Sequence, residues 1–343
     1  MAIDMDVLSS TIAKIHPEAT MGLYKNVPFL RESLNRKKFY PINGSYEVRV
    51  AVETNVATVP TAITNGYEQL DMSAGNTLDY AAFQWSTVVQ PIIISKRDEM
   101  QNSGDEAIVD LAGVRHESIL QSMMRQLNQQ LLVGSVAGWT EFGTLNGTTT
   151  SGVAGGFLEN AAPGAGAQTH VVGGLSKATY AGVPGWQNQY ATGGGNFAQN
   201  GLSNLRTVRT RASLYSPRAD RPFDLLVLHP DCHVAFENQL QSYIRYLDAG
   251  EIDTGKVAPV WEGSPVYADA AFLGISGSGA NLLSGYGLNL QGVQLALHDE
   301  GNFKFEDFVM LPDQEVMAAR IRVSGCLIAR NLGCQAVLTN LNA

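Results

Sequence analysis

Apolar side chains recur at three- and four-residue steps through Ile108, Leu111/Ala112, Ile119, Met123, Leu127 and Leu131. Between them stand Arg115, Glu117, Ser118, Gln121, Ser122, Arg125, Gln126, Asn128 and Gln129. That is the period of an amphipathic helix. Ser103 and Glu106 have the spacing of a capping box, in which each side chain bonds the other's free backbone N–H. Asp105 and Glu106 put negative charge on the positive end of the helix dipole. No proline interrupts the run, and Gly134 can take the left-handed position that ends a helix. The spacing predicts one helix over 103–134, ~45 Å long at 1.5 Å per residue. With a single apolar stripe, such a helix suits a strut across a flat molecule better than the centre of a round core.

Strand periodicity precedes it. Tyr46, Val48, Val50 and Val52 alternate with Glu47, Arg49, Ala51 and Glu53. A turn-rich tip with Pro60, Asn65-Gly66 and Gly75-Asn76 follows, and the chain returns through Tyr80, Phe83, Trp85, Val88, Val89 and Ile92 to Ile94. This predicts a long hairpin. A lone two-stranded hairpin is marginal in water, so its aromatic residues require a partner surface on this chain or another. Residues 1–43 alternate short helical pieces with Pro17, Gly22, Pro28 and Pro41, and carry the basic cluster Arg36, Lys37 and Lys38. Such an arm buries little by itself.

Residues 135–201 are dense in glycine, including Gly193-Gly194-Gly195, and predict irregular loops and short strands. Trp139, Phe142, Phe157, Tyr180, Trp186, Tyr190 and Phe197 imply that this stretch packs. Beyond it, Leu202, Leu205, Val208 and Ala212 fit a helix, and Phe223 to Leu228 a compact strand. His229-Pro230-Asp231 turns into a second helix carrying Val234, Phe236, Leu240, Ile244 and Leu247. Strands at 257–260 and 266–268 flank a turn over 262–265. Several more follow from Asn281, broken at Gly285, Gly292 and Gly301 and ending with 316–330 and 337–341. The fold class is α+β.

Composition changes this picture little. Hydrophobic residues make up 45% of the 343, an ordinary share that supports a sizeable core. Charged residues are few at 16% and glycines many at 35, as in surfaces covered by neutral neighbours or in loop-rich β structure. A net charge of −9 argues against tight nucleic-acid binding, because affinity for phosphates comes from Lys and Arg. No run of 18 apolar residues occurs, so no membrane span is expected. Met1–Lys14 lacks the apolar core of a signal peptide. Cys232, Cys326 and Cys334 are too few for a disulfide scaffold, which points to a reducing, cytosolic site of synthesis.

Candidate chemistry is thin. Residues 250–256 spell G-x-x-x-x-G-K, but Val257 stands where a hydroxyl should hold magnesium. His229, Cys232 and His233 could ligate a metal, yet zinc needs three or four ligands and no second cluster lies nearby in sequence. Gly277-Ser278-Gly279 reads as a flexible turn, and no G-x-S-x-G elbow occurs. The carboxylates are scattered, without the paired spacing a glycosidase uses. No catalytic residue, cofactor or metal is expected.

In its order of elements the chain resembles the major capsid protein of tailed bacteriophages, the Hong Kong 97 fold. The resemblance rests on the arm, the hairpin, the approach from Ile94 to Ser103, the long helix, the strand–proline turn–helix of 224–247, the turn of 260–266 and the closing strands after Gly301. It implies an N-terminal arm at 1–43 and an extended loop at 44–94. It implies a peripheral domain at 95–137 and 291–330 with spine helix 103–134, and an axial domain at 138–290 and 331–343. The implied function is assembly of pentamers and hexamers into an icosahedral virion shell around double-stranded DNA, held weakly and non-specifically. Separate scaffolding, portal and decoration proteins are the further partners implied, with no membrane. Tyr80, Phe83 and Trp85, with Arg36, Lys37 and Lys38, are the expected contacts between subunits. Members that cross-link their shells use a lysine on the extended loop; none stands between Lys38 and Lys96, so that link is not expected here. The other readings are an encapsulin shell, a tail or other β-rich structural protein, and an acidic hydrolase.

Overall fold

The computed structural model describes residues 27–35, 40–42, 44–53, 78–97, 105–134, 136–147, 156–164, 166–180, 185–244, 259–274, 283–310 and 314–342. The chain opens with α1 (Pro28–Asn35), β1 (Tyr40–Ile42) and β2 (Glu47–Glu53). It continues with β3 (Leu78–Gln84), β4 (Ser86–Ser95) and the long helix α2 (Asp105–Leu132). After the short β5 (Val171–Val172) and β6 (Leu175–Ser176) come β7 (Gln189–Asn196), α3 (Phe197–Ser213), β8 (Leu225–Leu228) and α4 (Pro230–Ile244). The rest is strand: β9 (Val260–Trp261), β10 (Ser264–Ala268), β11 (Leu283–Leu288), β12 (Val293–His298), β13 (Lys304–Met310), β14 (Val316–Ala329) and β15 (Ala336–Asn342).

Helix α2 has 28 residues, about 42 Å at 1.5 Å each. Gly134 ends it with φ +85°, and its N–H reaches back to the Gln129 carbonyl. The expected cap at Ser103 lies outside the described residues. The buried part of α2 is wider than one stripe. Met123, Leu127 and Leu131 are covered as predicted, and so are Leu120, Met124 and Leu132. Asn128, which the pattern puts on the polar face, is also buried, because its amide donates to both carboxylate oxygens of Asp269 at 3.0 Å. Those bonds satisfy the amide nitrogen, while Asn128 Oδ1 is buried without a partner among the described residues.

Two larger sheets organise the molecule. In the five-stranded one, β14 is the axis: Val316–Gly325 pairs with β4, Gly325–Ala329 with β12, and Met317–Arg322 with β13. β1 extends it in parallel beyond β12. α2 packs on β4, and the Arg115 guanidinium donates to the Ile93 carbonyl at 2.8 Å.

The six-stranded sheet runs β7-β15-β11-β8-β10-β9, with β8–β10 and β7–β15 parallel. α3 covers β7 and β15 and packs against α4. Between them lies an apolar cluster of Phe197, Leu205, Val208, Phe223, Phe236 and Trp261. β8 and β11 are buried at every position; β8 is the continuous apolar run of a central strand, whereas β11 reaches the same burial with Ser284, Gly285, Tyr286 and Gly287 among its residues. Tyr286 of β11 joins the two halves by donating to the carbonyl of Leu132 at 2.9 Å, which satisfies one of the helix's terminal acceptors.

Two sequence expectations are corrected. The returning limb of the hairpin is two strands, not one. β3 pairs with β2, whereas β4, beyond Trp85, belongs to the five-stranded sheet. Gly193-Gly194-Gly195 lies in strand β7 rather than in a loop, because β15 pairs in parallel on both sides of it, through Thr192 and again from Gly195, across a register shift at Gly193-Gly194. The remaining glycine-rich chain is irregular, with β5–β6 its only sheet among the described residues. It packs where it was not expected: Leu145 N–H bonds the Leu131 carbonyl at the end of α2, and residues 171–176 lie beneath the hairpin.

Candidate functional site

Hairpin β2–β3 has two unlike faces. Val48, Val50, Val52, Ala81 and Phe83 are buried, while Arg49, Ala51, Glu53 and Tyr80 face out. The inner face sits on the turn between β5 and β6. Gly173 turns there at φ +58°, and its carbonyl accepts from the Ala82 N–H at 2.9 Å. A Cβ on Gly173 would lie 2.8 Å from Ala81 Cβ and 2.9 Å from Phe83 Cζ, so only glycine allows this approach. The Phe83 ring lies 5.6 Å from that of Phe157. Tyr180 donates its hydroxyl to Asp79 at 2.8 Å, which draws that carboxyl below its usual range. The partner surface that the hairpin requires on its inner face is therefore this chain's own glycine-rich segment.

The three aromatic residues divide. Phe83 is 6% exposed and spent inside its own chain, so it is not free to meet a neighbour. Trp85 is half-buried, its indole N–H donating to the Ser45 carbonyl and its ring 5.6 Å from that of His298. Tyr80 is 61% exposed. Arg36, Lys37 and Lys38 lie outside the described residues, as do residues 250–256 and 277–279.

Sequence reasoning missed a second apolar surface. Ile93 pairs with Ala318 and Ala318 with Val309, so these three stand side by side across β4, β14 and β13. In antiparallel ladders paired residues share a face. Ile93 and Val309 are both exposed, so this is the sheet's open side. Tyr46 and Leu78 are exposed at the two ends of the hairpin's described part. The alternation along β4 was a usable signal, but it does not say which face α2 covers.

The suspected metal ligands do other work. His229 caps α4, its Nδ1 accepting the Asp231 N–H at 3.2 Å. His233 lies 3.6 Å from Glu237 along the same helix. Cys232 is buried, which pushes its thiol up to about 11. Cys326 and Cys334 are also buried and reduced, held up at about 12 and about 11. A cleft of about 490 Å³ between α1, α2 and residues 268–271 contains Arg125, Asn128 and Asp269. Burial raises the Asp269 carboxyl, and the Asn128 amide and Ala271 N–H partly offset this.

The glycine-rich segment encloses a dense polar cluster. Lys177 is fully buried, with Nζ donating to Asn188 Oδ1 at 2.9 Å and lying 3.7 Å from Glu159 Oε1. Burial depresses its ammonium to about 7, against the pull of Glu159. Glu159 accepts from the N–H groups of Thr169 and His170. Asn188 is held by the side chain of Gln168 and by both backbone groups of Glu159.

The sequence matches no protein-family model and no curated protein. Solved structures do match over almost the whole chain. The capsid of an empty GTA particle with C5 symmetry aligns at TM-score 0.57 and 12% identity, over 90% of this chain and 96% of that one. The capsid asymmetric unit of cyanophage A-1(L) gives 0.55 and 12%, over 89% and 91%. The holo-SrpI encapsulin complex from Synechococcus elongatus PCC 7942 gives 0.50 and 13%, over 91% and 88%. At this level of identity the likeness shows the fold: the chain has the mixed α+β architecture of the Hong Kong 97 capsid fold.

Proposed function

We propose that the protein is a major capsid protein whose copies form the pentamers and hexamers of a closed icosahedral shell around double-stranded DNA. One observation carries the reading: the capsid fold spans nine-tenths of the chain, and its hairpin presents Tyr80 to solvent while its inner face is fully used. The hairpin with its glycine-rich seat is the extended loop. The five-stranded sheet with α2 is the peripheral domain, and the six-stranded sheet with α3 and α4 is the axial domain. Tyr80, Leu78 and the row Ile93–Ala318–Val309 meet neighbouring copies. Trp85 sets the angle at which the hairpin leaves the sheet, and Arg36, Lys37 and Lys38 supply charge to an acidic neighbour. Burying one such aromatic contributes on the order of 2 kcal/mol, multiplied around the shell by symmetry. The role is structural rather than catalytic, and the net charge of −9 keeps the wall from binding packaged DNA strongly.

Negative-stain electron microscopy of the purified protein tests this. Closed shells of uniform diameter are expected. Open tubes, or a monodisperse monomer under every assembly condition, would refute the proposal. The encapsulin likeness supports a second reading, a shell around protein cargo. Nuclease-protected DNA inside particles from native cells favours the first reading, and an enclosed enzyme the second.

A further inference from the structure

We propose that Lys177 and Asn188 are the two ends of an isopeptide bond that forms within one subunit. The two side chains lie eleven residues apart in the second half of the glycine-rich segment. Lys177 Nζ stands 2.9 Å from Asn188 Oδ1, in a site where both residues are fully buried. The approach to the neighbouring carboxamide carbon is thus a shift between groups already in contact, the arrangement that removes most of the entropic barrier to a reaction.

Each requirement of the step has a residue. A lysine attacks only as the neutral amine, and burial at Lys177 favours that form. The carboxamide carbon must be polarised: Asn188 Oδ1 accepts the Glu159 backbone N–H at 2.9 Å as well as Nζ, two donors aimed where negative charge develops. Proton movement needs a base, and the Glu159 carboxylate lies 3.7 Å from Nζ. That carboxylate is positioned by the N–H groups of Thr169 and His170 at 2.9 and 2.7 Å, with the His170 ring 3.9 Å away. Asn188 cannot swing aside, because its Nδ2 donates to the carbonyls of Glu159 and Gln189 and its own N–H is held by Gln168. Water, the competing nucleophile, is excluded by burial.

The balance is simple. Nζ adds to Asn188 Cγ, Glu159 takes a proton from the attacking nitrogen and passes it to the departing –NH2, and the C–N bond to Nδ2 breaks. The amine and the carboxamide become one secondary amide and one ammonia. No oxidant, metal or co-reactant takes part. The bond would close the loop from 177 to 188 and lock the seat on which hairpin β2–β3 rests.

Intact-mass spectrometry of the folded full-length chain, followed by proteolysis, tests this. The expected result is a mass lower than the sequence mass by one ammonia, with a branched peptide joining the fragments that contain Lys177 and Asn188. Lys177→Met and Asn188→Ala should show the full mass of their sequences, and Glu159→Gln should slow the loss at least tenfold. A folded wild-type chain at full sequence mass after prolonged incubation at mildly alkaline pH would overturn the proposal. Loss of ammonia in Lys177→Met would also overturn it, because the source would then be an asparagine reacting with its own backbone. Measuring the wild-type chain itself keeps the test decisive even where a variant fails to fold.

Discussion

Hairpin β2–β3 and the six-stranded sheet solve the burial problem in opposite ways. β11 lies between β8 and β15, and all six of its residues are buried. The hairpin strands pair only with each other, bury one face on a glycine turn, and leave Tyr80 and Leu78 in water. The sheet is complete within one chain. The hairpin is half complete, and under the proposed shell reading another copy supplies its second face. The difference teaches where to look for assembly: where alternation persists but large apolar or aromatic residues, here Leu78 and Tyr80, stand among the outward positions.

Mutations can break this contrast. Phe236→Ala, in the cluster between α3, α4 and the six-stranded sheet, should cost about 3–5 kcal/mol and yield a subunit that unfolds or aggregates, read by thermal melting. Gly173→Val should cost about 1–3 kcal/mol by overpacking Ala81 and Phe83, to which backbone strain at φ +58° adds. Its signature is hydrogen exchange that rises at 47–53 and 78–84 while the six-stranded sheet stays protected. Tyr286→Phe removes the donor to the Leu132 carbonyl and should cost about 1–3 kcal/mol, because the acceptor stays buried.

Tyr80→Ser should change subunit stability by less than about 0.5 kcal/mol, as surface substitutions generally do. Shell yield by electron microscopy should nonetheless fall sharply. Normal particles from this variant would remove the hairpin's outer face from the assembly contacts. The smallest effect concerns Asp269. Burial raises its folded-state value above the ordinary 3.8, so the folded chain holds this proton more tightly than the unfolded one. The resulting stability is fully present below 3.8 and lost as pH rises through the raised value. The melting temperature of wild type relative to Asp269→Asn should therefore be higher at about pH 4 than at about pH 7.

Much of the fold was legible because it rests on local periodicity. The three- and four-residue rhythm of 108–131 marks α2 to within two residues at either end, and the Val48–Val50–Val52 alternation marks β2. The division of the returning limb at Trp85 was not legible: β3 and β4 differ in partner, not in pattern. Nor was the candidate site. Phe83 and Tyr80 are both aromatic residues of one strand, and opposite faces of the pleat decide which is buried. The cluster of Glu159, Lys177 and Asn188 has no sequence signature, since its members come from an irregular segment without a period.

What the sequence determined by itself was the long helix, the valine strand of the hairpin, the order of the main elements and the fold class, because turn residues and hydrophobic spacing act over a few neighbouring positions. Tertiary structure alone decided which strand faces seat against the chain and which remain open. It also brought a lysine, an asparagine and a glutamate together out of water. Those outcomes depend on contacts between residues far apart in sequence, such as Ala81 on Gly173 and Tyr286 on Leu132, and no local pattern encodes them.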